Sequence, residues 1–211
     1  MSGSPDKLNV ILLIGPTGSG KTPLGRLLEK RGFGGRRCLH FDFGGSLRRC
    51  AGNPGFLTPA EMRVVKHSLE TGSLLEDRHF GIALKLLNAF LEERRADDNT
   101  LIVLNGLPRH TGQAVALESY IDIRLIVNFE CSPETARERI RLNAGGDRAG
   151  RSDDTPEEIR KRADIFLERT GPLLEHYKRL CVPVIEVAIE AETTAEDTYE
   201  RVTGEARRDQ A

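Results

Sequence analysis

The stretch Leu8-Asn9-Val10-Ile11-Leu12-Leu13-Ile14-Gly15-Pro16-Thr17-Gly18-Ser19-Gly20-Lys21-Thr22 sets an apolar run directly before a glycine-rich loop that ends in lysine and threonine. The order carries the reading. Seven residues that are almost all apolar suit a buried strand. Gly15, Gly18 and Gly20 let the backbone wrap closely around an anion, and a helix starting behind them points its positive end at the same place. Thr17 and Ser19 complete the loop between the glycines. Lys21 adds a point charge for the outer phosphates, and Thr22 offers a hydroxyl to a magnesium ion. The pattern predicts a phosphate-binding loop for ATP or GTP and leaves open what the protein does with the nucleotide.

Working outward, apolar runs recur at Arg37–Asp42, Thr100–Asn105, Ile123–Glu130 and Pro183–Ile189. Runs that are apolar on both faces suit a parallel sheet covered by helices on each side. Helix starts stand between them. Thr58-Pro59-Ala60-Glu61 and Thr155-Pro156-Glu157-Glu158 read as capping boxes with proline at the first helical position. Ser132-Pro133 opens another helix, and Thr193 with Glu196 opens the last. Behind Thr155, the residues Ile159, Ala163, Phe166, Thr170, Leu173 and Tyr177 recur at helical spacing. The alternation predicts an α/β, doubly wound, five-stranded parallel sheet of the P-loop kinase type. Two stretches stand outside it: a helical excursion from Gly44 to about Arg78, and a loop at Asn143–Ser152 with three glycines. Long inserts on a rigid sheet suit lids or substrate-binding arms.

The chain has 211 residues and a formal net charge of −1. That length suits one domain with a sizeable core. The charge excludes a bulk basic field for nucleic acid. The four cysteines, Cys38, Cys50, Cys131 and Cys181, form no metal-binding spacing and read as reduced thiols of a cytoplasmic protein. No apolar stretch approaches the ~20 residues needed to span a bilayer, and no secretory signal is visible.

Asn105-Gly106-Leu107-Pro108-Arg109 follows the third strand, with Gln113 four residues beyond Arg109. Ligands of open parallel sheets bind beyond the carboxyl ends of the strands, so Arg109 is expected near the phosphate loop. Gly44-Gly45-Ser46-Leu47-Arg48 and Thr71-Gly72-Ser73-Leu74-Leu75-Glu76-Asp77 lie in the first excursion. Gly150-Arg151-Ser152-Asp153-Asp154 and Arg162, leading into Thr170-Gly171-Pro172-Leu173, lie in and after the second. Together with the phosphate loop, these blocks resemble the nucleoside monophosphate kinases of the adenylate kinase family, in that family's order and over nearly the whole chain.

The resemblance implies a single domain with a core over 8–43, 79–142 and 153–205, a monophosphate-binding arm over 44–78 and a short lid over 143–152. It implies magnesium-dependent transfer of the γ-phosphoryl group of ATP to a nucleoside monophosphate, with AMP the favoured acceptor. Gly15, Gly18, Gly20 and Lys21 would cradle the ATP phosphates, and Arg139 would pack against the ATP base. Arg48 and Arg109 would hold the acceptor's phosphate. Gly72, Leu75 and Gly106 would line its pocket, and Gln113 would read its base edge. Arg151 and Arg162 would close over the transferring group. Phosphoryl transfer joins two anionic groups, so positioning and positive charge supply most of the catalysis. Water must be kept out, which a glycine-hinged lid carrying Arg148 and Arg151 would serve. A closing arm and lid suit a monomer, and no membrane or nucleic-acid partner is implied. The short lid lacks the cysteine-bearing insert of some relatives, so no zinc site is expected.

The chain also departs from the family. Asn105 stands where the family places an aspartate that organises the magnesium ion's waters. Asp42, at the end of the second strand, is the acid available to compensate. Thr22 and Pro23 follow Lys21 directly, which is the general P-loop form. Phe43 and Gly45 occupy the family's threonine and aspartate positions in the arm. These departures keep two other readings open: a P-loop kinase of another small metabolite, and a nucleotide-binding module with little turnover.

Overall fold

In the computed structural model, which describes residues 7–53, 55–148 and 155–208, each of the apolar runs forms a strand. These are β1 (Leu8–Ile14), β2 (Cys38–Asp42), β3 (Leu101–Asn105), β4 (Ile121–Glu130) and β5 (Val184–Ala188). They make one five-stranded parallel sheet in the order β2-β3-β1-β4-β5. The chain leaves β1 toward one edge, returns through β3, and then crosses to β4 and β5. The carboxyl ends of β1 and its neighbours therefore flank the point where the winding reverses, and a crevice opens there.

The helices between the strands are α1 (Lys21–Arg31), α2 (Phe43–Gly52), α3 (Pro59–Thr71), α4 (Phe80–Glu93), α5 (Thr111–Leu117), α6 (Pro133–Leu142), α7 (Pro156–Ile165), α8 (Pro172–Arg179) and α9 (Ala195–Arg208). Alternate residues of a strand face opposite sides, so β1 feeds two cores. Val10, Leu12 and Ile14 pack with Phe41, Leu104, Leu87 and Leu173 on one face. Ile11 and Leu13 pack with Leu24, Leu28, Val127, Phe129 and Val202 on the other. This double burial is why β1 reads as a continuous apolar run rather than an alternation.

The expected caps are in place. The Thr58 hydroxyl accepts from the Glu61 amide at 3.3 Å, and the Glu61 carboxylate accepts from the Thr58 amide at 2.8 Å. Ser132 and Thr155 accept from the Thr135 and Glu158 amides. Three local readings are corrected. β4 begins at Ile121, earlier than the apolar run suggested. Its register shifts opposite Val10/Ile11, and the exposed Arg124 interrupts the apolar pattern there while its guanidinium reaches the Asn9 side chain. The last helix is capped by Thr194 and Asp197, whose side chains exchange bonds with each other's amides at 3.1 and 2.9 Å. Thr193 instead accepts from the Glu190 amide.

The third correction concerns the long helical run after Thr155. It is two helices joined by a π-helical turn at Phe166–Thr170. Pro172 has no N–H to continue the ladder, and the Gly171 amide bonds to the Phe166 carbonyl five residues back. The widened turn brings the Thr170 hydroxyl to the Arg109 carbonyl at 2.8 Å.

Two observations bear on how α1 seats on the sheet. A Cβ built at Gly25 would lie 2.3 to 2.8 Å from three atoms of the His40 ring, and His40 is itself buried on β2. Gly25→Ala in an exposed helix would gain up to about 1 kcal/mol from propensity. Here overpacking should win, with a net loss of about 1–3 kcal/mol in chemical denaturation. A variant as stable as the parent would show that α1 does not press on His40.

Candidate active site

The loop after β1 closes on neighbours that leave no room for side chains. A Cβ at Gly15 would stand 2.7 Å from the Phe129 Cβ, and one at Gly18 would stand 2.7 Å from the Ala136 carbonyl. Gly18 and Gly20 take φ of 92° and 100°, a region open to glycine at no steric cost. Gly20 is the N-cap of α1 and supplies no side-chain cap. The first-turn amides of α1 therefore lack the usual side-chain acceptor, as an anion site requires.

Lys21 folds back over the loop, donating to the Gly15 and Pro16 carbonyls at 2.6 Å each and lying 3.4 Å from the Ser19 hydroxyl. Burial, with the nearby Arg109 charge, pulls its ammonium down to about 7. The Thr22 hydroxyl accepts from the Asn105 amide at 3.0 Å, and the same amide nitrogen lies 3.4 Å from His40 Nε2. Burial holds His40 below its ordinary range.

These groups line one cleft. The loop contributes Gly15, Thr17, Gly18, Gly20, Lys21 and Thr22, and the strand ends contribute Asp42, Asn105, Gly106 and Arg109. The excursion contributes Gly44, Arg48, Ser68, Gly72 and Ser73 from α2, α3 and the segment after them. Asp147, Arg148, Arg162 and Phe166 close the remaining side. Thus Lys21, Arg48, Arg109 and Arg162, far apart in sequence, converge. Burial and the Arg162 charge both press the Arg109 guanidinium downward, while Asp42 opposes them. Cations crowded in this way suit a ligand carrying several negative charges.

Other expected residues stand elsewhere. Ser19 lies under the loop, buried. Arg139 does not line the cleft. It is buried, and its guanidinium donates to the Gly18, Glu190, Ala191 and Thr193 carbonyls at 2.7 to 3.2 Å. The guanidinium ties the phosphate loop to the turn after β5, with its Nε and Nη1 donors committed to backbone. Gln113 is fully buried and does not line the cleft either. Its Nε2 donates to the Leu75 carbonyl and its Oε1 accepts from the Arg109 amide, each at 2.8 Å. These two bonds make Gln113 a clamp between Arg109 and the excursion. Leu75 lends its carbonyl to that clamp, its side chain is buried, and it is not a cleft residue. Arg151, with Gly150 and Ser152, lies outside the described residues.

The sequence reading missed Asp147, Ser68 and Ser73 as cleft residues and gave His110 no role. His110 Nε2 lies 3.1 Å from the Leu75 carbonyl, and its Nδ1 lies 3.5 Å from the Asp77 carboxylate. No local motif marks Ser68 or His110; the return of the excursion against α5 brings His110 to the Leu75 carbonyl. Lys161 on α7 donates to the Thr71 carbonyl, and Arg169 pairs with Glu76 at 3.0 Å.

Replacing Arg139 by alanine strands four backbone carbonyls that share one buried cation. Bonds to charged groups are each worth about 1.5–3 kcal/mol, so Arg139→Ala should lose at least about 3 kcal/mol in thermal or chemical unfolding. A loss below about 1 kcal/mol, within the range of ordinary surface substitutions and single neutral bonds, would show that the tether is not structural.

Comparison with known proteins agrees with this geometry. A family model described as an AAA domain matches residues 14–160. The chain is 33% identical over 196 residues to an adenylate kinase of Corynebacterium aurimucosum, covering 90% of this chain and 94% of that protein. It is 29% identical over 202 residues to a uridylate kinase of Saccharomyces cerevisiae, covering 94% and 91%. It is 27% identical over 187 residues to UMP-CMP kinase 3 of Arabidopsis thaliana, covering 84% and 80%. A glycine cradle at the end of β1, four cations converging from separate elements and near full-length relatives of one kind have a common explanation: the chain belongs to the P-loop nucleoside monophosphate kinases.

Proposed function

We propose that the protein transfers the γ-phosphoryl group of ATP to a nucleoside monophosphate, giving two nucleoside diphosphates, with AMP as the acceptor. The observation that carries the reading is the convergence of Lys21, Arg48, Arg109 and Arg162 on one cleft above the phosphate loop. A single bound triphosphate engages the loop and Lys21. Arg48 and Arg109, lining the same cleft, are then available to a second phosphate. Two anions must be brought together against their repulsion, and fixed guanidinium groups lower that cost in the transition state. An acceptor phosphate is already anionic, so no general base is required. Similar proteins include adenylate kinases at 29 to 33% identity alongside a uridylate kinase at 29% and a UMP-CMP kinase at 27%, and AMP is the acceptor taken in this reading.

Magnesium is the metal this reading implies. Among the described residues no three His, Cys, Asp or Glu side chains gather as a metal cage. Magnesium is commonly held by one or two protein oxygens together with substrate phosphates. The Thr22 hydroxyl fits: Asn105 donates to its oxygen and leaves a lone pair for the ion. When bound there, the metal would neutralise charge on the β- and γ-phosphate oxygens.

In this reading the described part of the 143–152 segment works as a lid through Arg148, which lines the cleft. The arm is residues 44–78, held at its return by Gln113 and His110 on the Leu75 carbonyl.

The deciding experiment incubates the protein with magnesium, ATP and AMP, UMP, CMP or GMP and follows diphosphate formation. AMP should turn over fastest. Tight ATP binding with no transfer to any monophosphate would overturn the reading in favour of a nucleotide-binding module, and transfer only to a different small metabolite would overturn the acceptor.

The low affinity of Lys21 for its proton adds a second expectation. In the free protein its charge is fully present well below about 7 and is lost as pH rises through that value. A bound polyphosphate favours the ammonium and raises its pKa. ATP binding at about pH 8 should therefore take up close to one proton, and affinity should fall toward tenfold per pH unit above that point. Calorimetry in two buffers of different ionisation enthalpy reads the uptake directly. A buffer-independent heat would show that Lys21 is already charged in the free protein.

A further inference from the structure

The cleft holds one acid on the carboxyl edge of the sheet, and its position is unusual for a site built to bind anions. Asp42 is the last residue of β2 and pairs in register with Asn105 of β3. Partners in a parallel ladder send their side chains to the same face. That face is the one on which His40, two residues earlier, meets Gly25 of α1, and it carries the first turn of α1 with Thr22. The contacts run from Thr22 to Asn105 at 3.0 Å and from Asn105 to His40 at 3.4 Å. Asp42 stands beside Asn105 at the mouth of that chain and lines the same cleft as Lys21, Thr22 and Arg109.

Among the described residues the carboxylate has one hydrogen-bond partner. It accepts from the Gly45 amide at 3.0 Å, capping α2. Its other oxygen is left room by the lack of a side chain at 45, where a Cβ would stand 2.9 Å from it. Among the described residues it makes no ion pair, although Arg48 and Arg109 share its cleft. Its negative charge is felt at both Arg109 and His40. A helix cap needs an oxygen, not a charge, and asparagine caps as well as aspartate. A bare carboxylate facing bound phosphates would repel them. A divalent cation between the two reverses the sign of that term.

We propose that Asp42 is the positioning residue for the divalent ion of this site: its carboxylate holds the ion's waters from the end of β2, while Asn105, one strand over, is left to orient the Thr22 hydroxyl. The acid and the amide divide a task between neighbouring strand ends. Asn105 has no charge to offer the ion, but its amide can donate to Thr22, which a carboxylate cannot. Asp42 supplies the charge from the adjacent register position. The proposal rests on the phosphoryl-transfer reading of the cleft only in taking a metal–triphosphate complex as the ligand.

The test reads metal linkage rather than turnover. Calorimetry with a non-transferable ATP analogue, with and without magnesium, measures how much the metal tightens binding to the full chain. Asp42→Asn keeps the cap and removes the charge. It should reduce the metal-dependent tightening about tenfold, the scale of one charge acting through a water shell, while metal-free binding is unchanged or tighter. Unchanged tightening in Asp42→Asn overturns the proposal. So does an equal loss with and without metal, which would give the Asp42 charge no part in holding the ion. Absence of transfer to any monophosphate would remove the kinase reading and leave these binding results as they stand.

Discussion

Close approach of backbone to backbone around Gly15 and Gly18 is the constraint on which the site depends. The loop passes so near Phe129 on β4 and Ala136 on α6 that neither glycine has room for a Cβ. That contact forces the turn between β1 and α1 to stay tight. A tight turn leaves the first amides of α1 aimed at one small volume. The centre of the sheet then fixes where that volume lies, because β1 is buried on both faces and pairs with β3 and β4. Arg139 fastens the arrangement from the far side by holding the Gly18 carbonyl and three carbonyls of the turn after β5 with one guanidinium.

Charge in this cleft is held under strain of an electrostatic kind. Lys21, Arg109 and Arg162 sit close enough that burial and mutual repulsion lower the proton affinity of Lys21 and Arg109. Lys21 turns back to carbonyls of its own loop. An arriving polyphosphate relieves the repulsion and gives the lysine a stronger partner. A site built in this way stores binding preference for highly charged ligands, and electrostatic complementarity of that kind is set before the ligand arrives.

The excursion between β2 and α4 packs apolar residues of α2 and α3 into the core shared with β1 and α4, and polar bonds fasten its return. Gln113 and His110 grip the Leu75 carbonyl, Lys161 holds the Thr71 carbonyl, and Arg169 pairs with Glu76. The π-helical turn at Phe166–Thr170 contributes from the other side, with Thr170 bonded to the Arg109 carbonyl. Arg109, Gln113 and the segment 71–77 are therefore coupled through backbone carbonyls. A displacement of the excursion would be felt at Arg109 within two hydrogen bonds.

Local pattern was enough to read the strand–loop–helix unit at 8–31, the parallel sheet and the capping boxes, because each depends on residues a few positions apart. The nearness of Arg109 to the phosphate loop was legible as well, since the strand ends of an open parallel sheet share an edge; Arg48 and Arg162, on α2 and α7, were placed there only by the family resemblance. The backbone contacts of Arg139 and Gln113 were not legible. A buried guanidinium or amide takes its function from whichever carbonyls come within about 3 Å, and those at Glu190, Ala191 and Leu75 arrive from distant parts of the chain. The break at Phe166–Thr170 was hidden because apolar spacing continues smoothly across Gly171-Pro172. Asp42 shows the division most plainly: its charge and its place at a strand end are written in the chain, whereas its standing beside Asn105 follows from strand register, which no short window of residues contains.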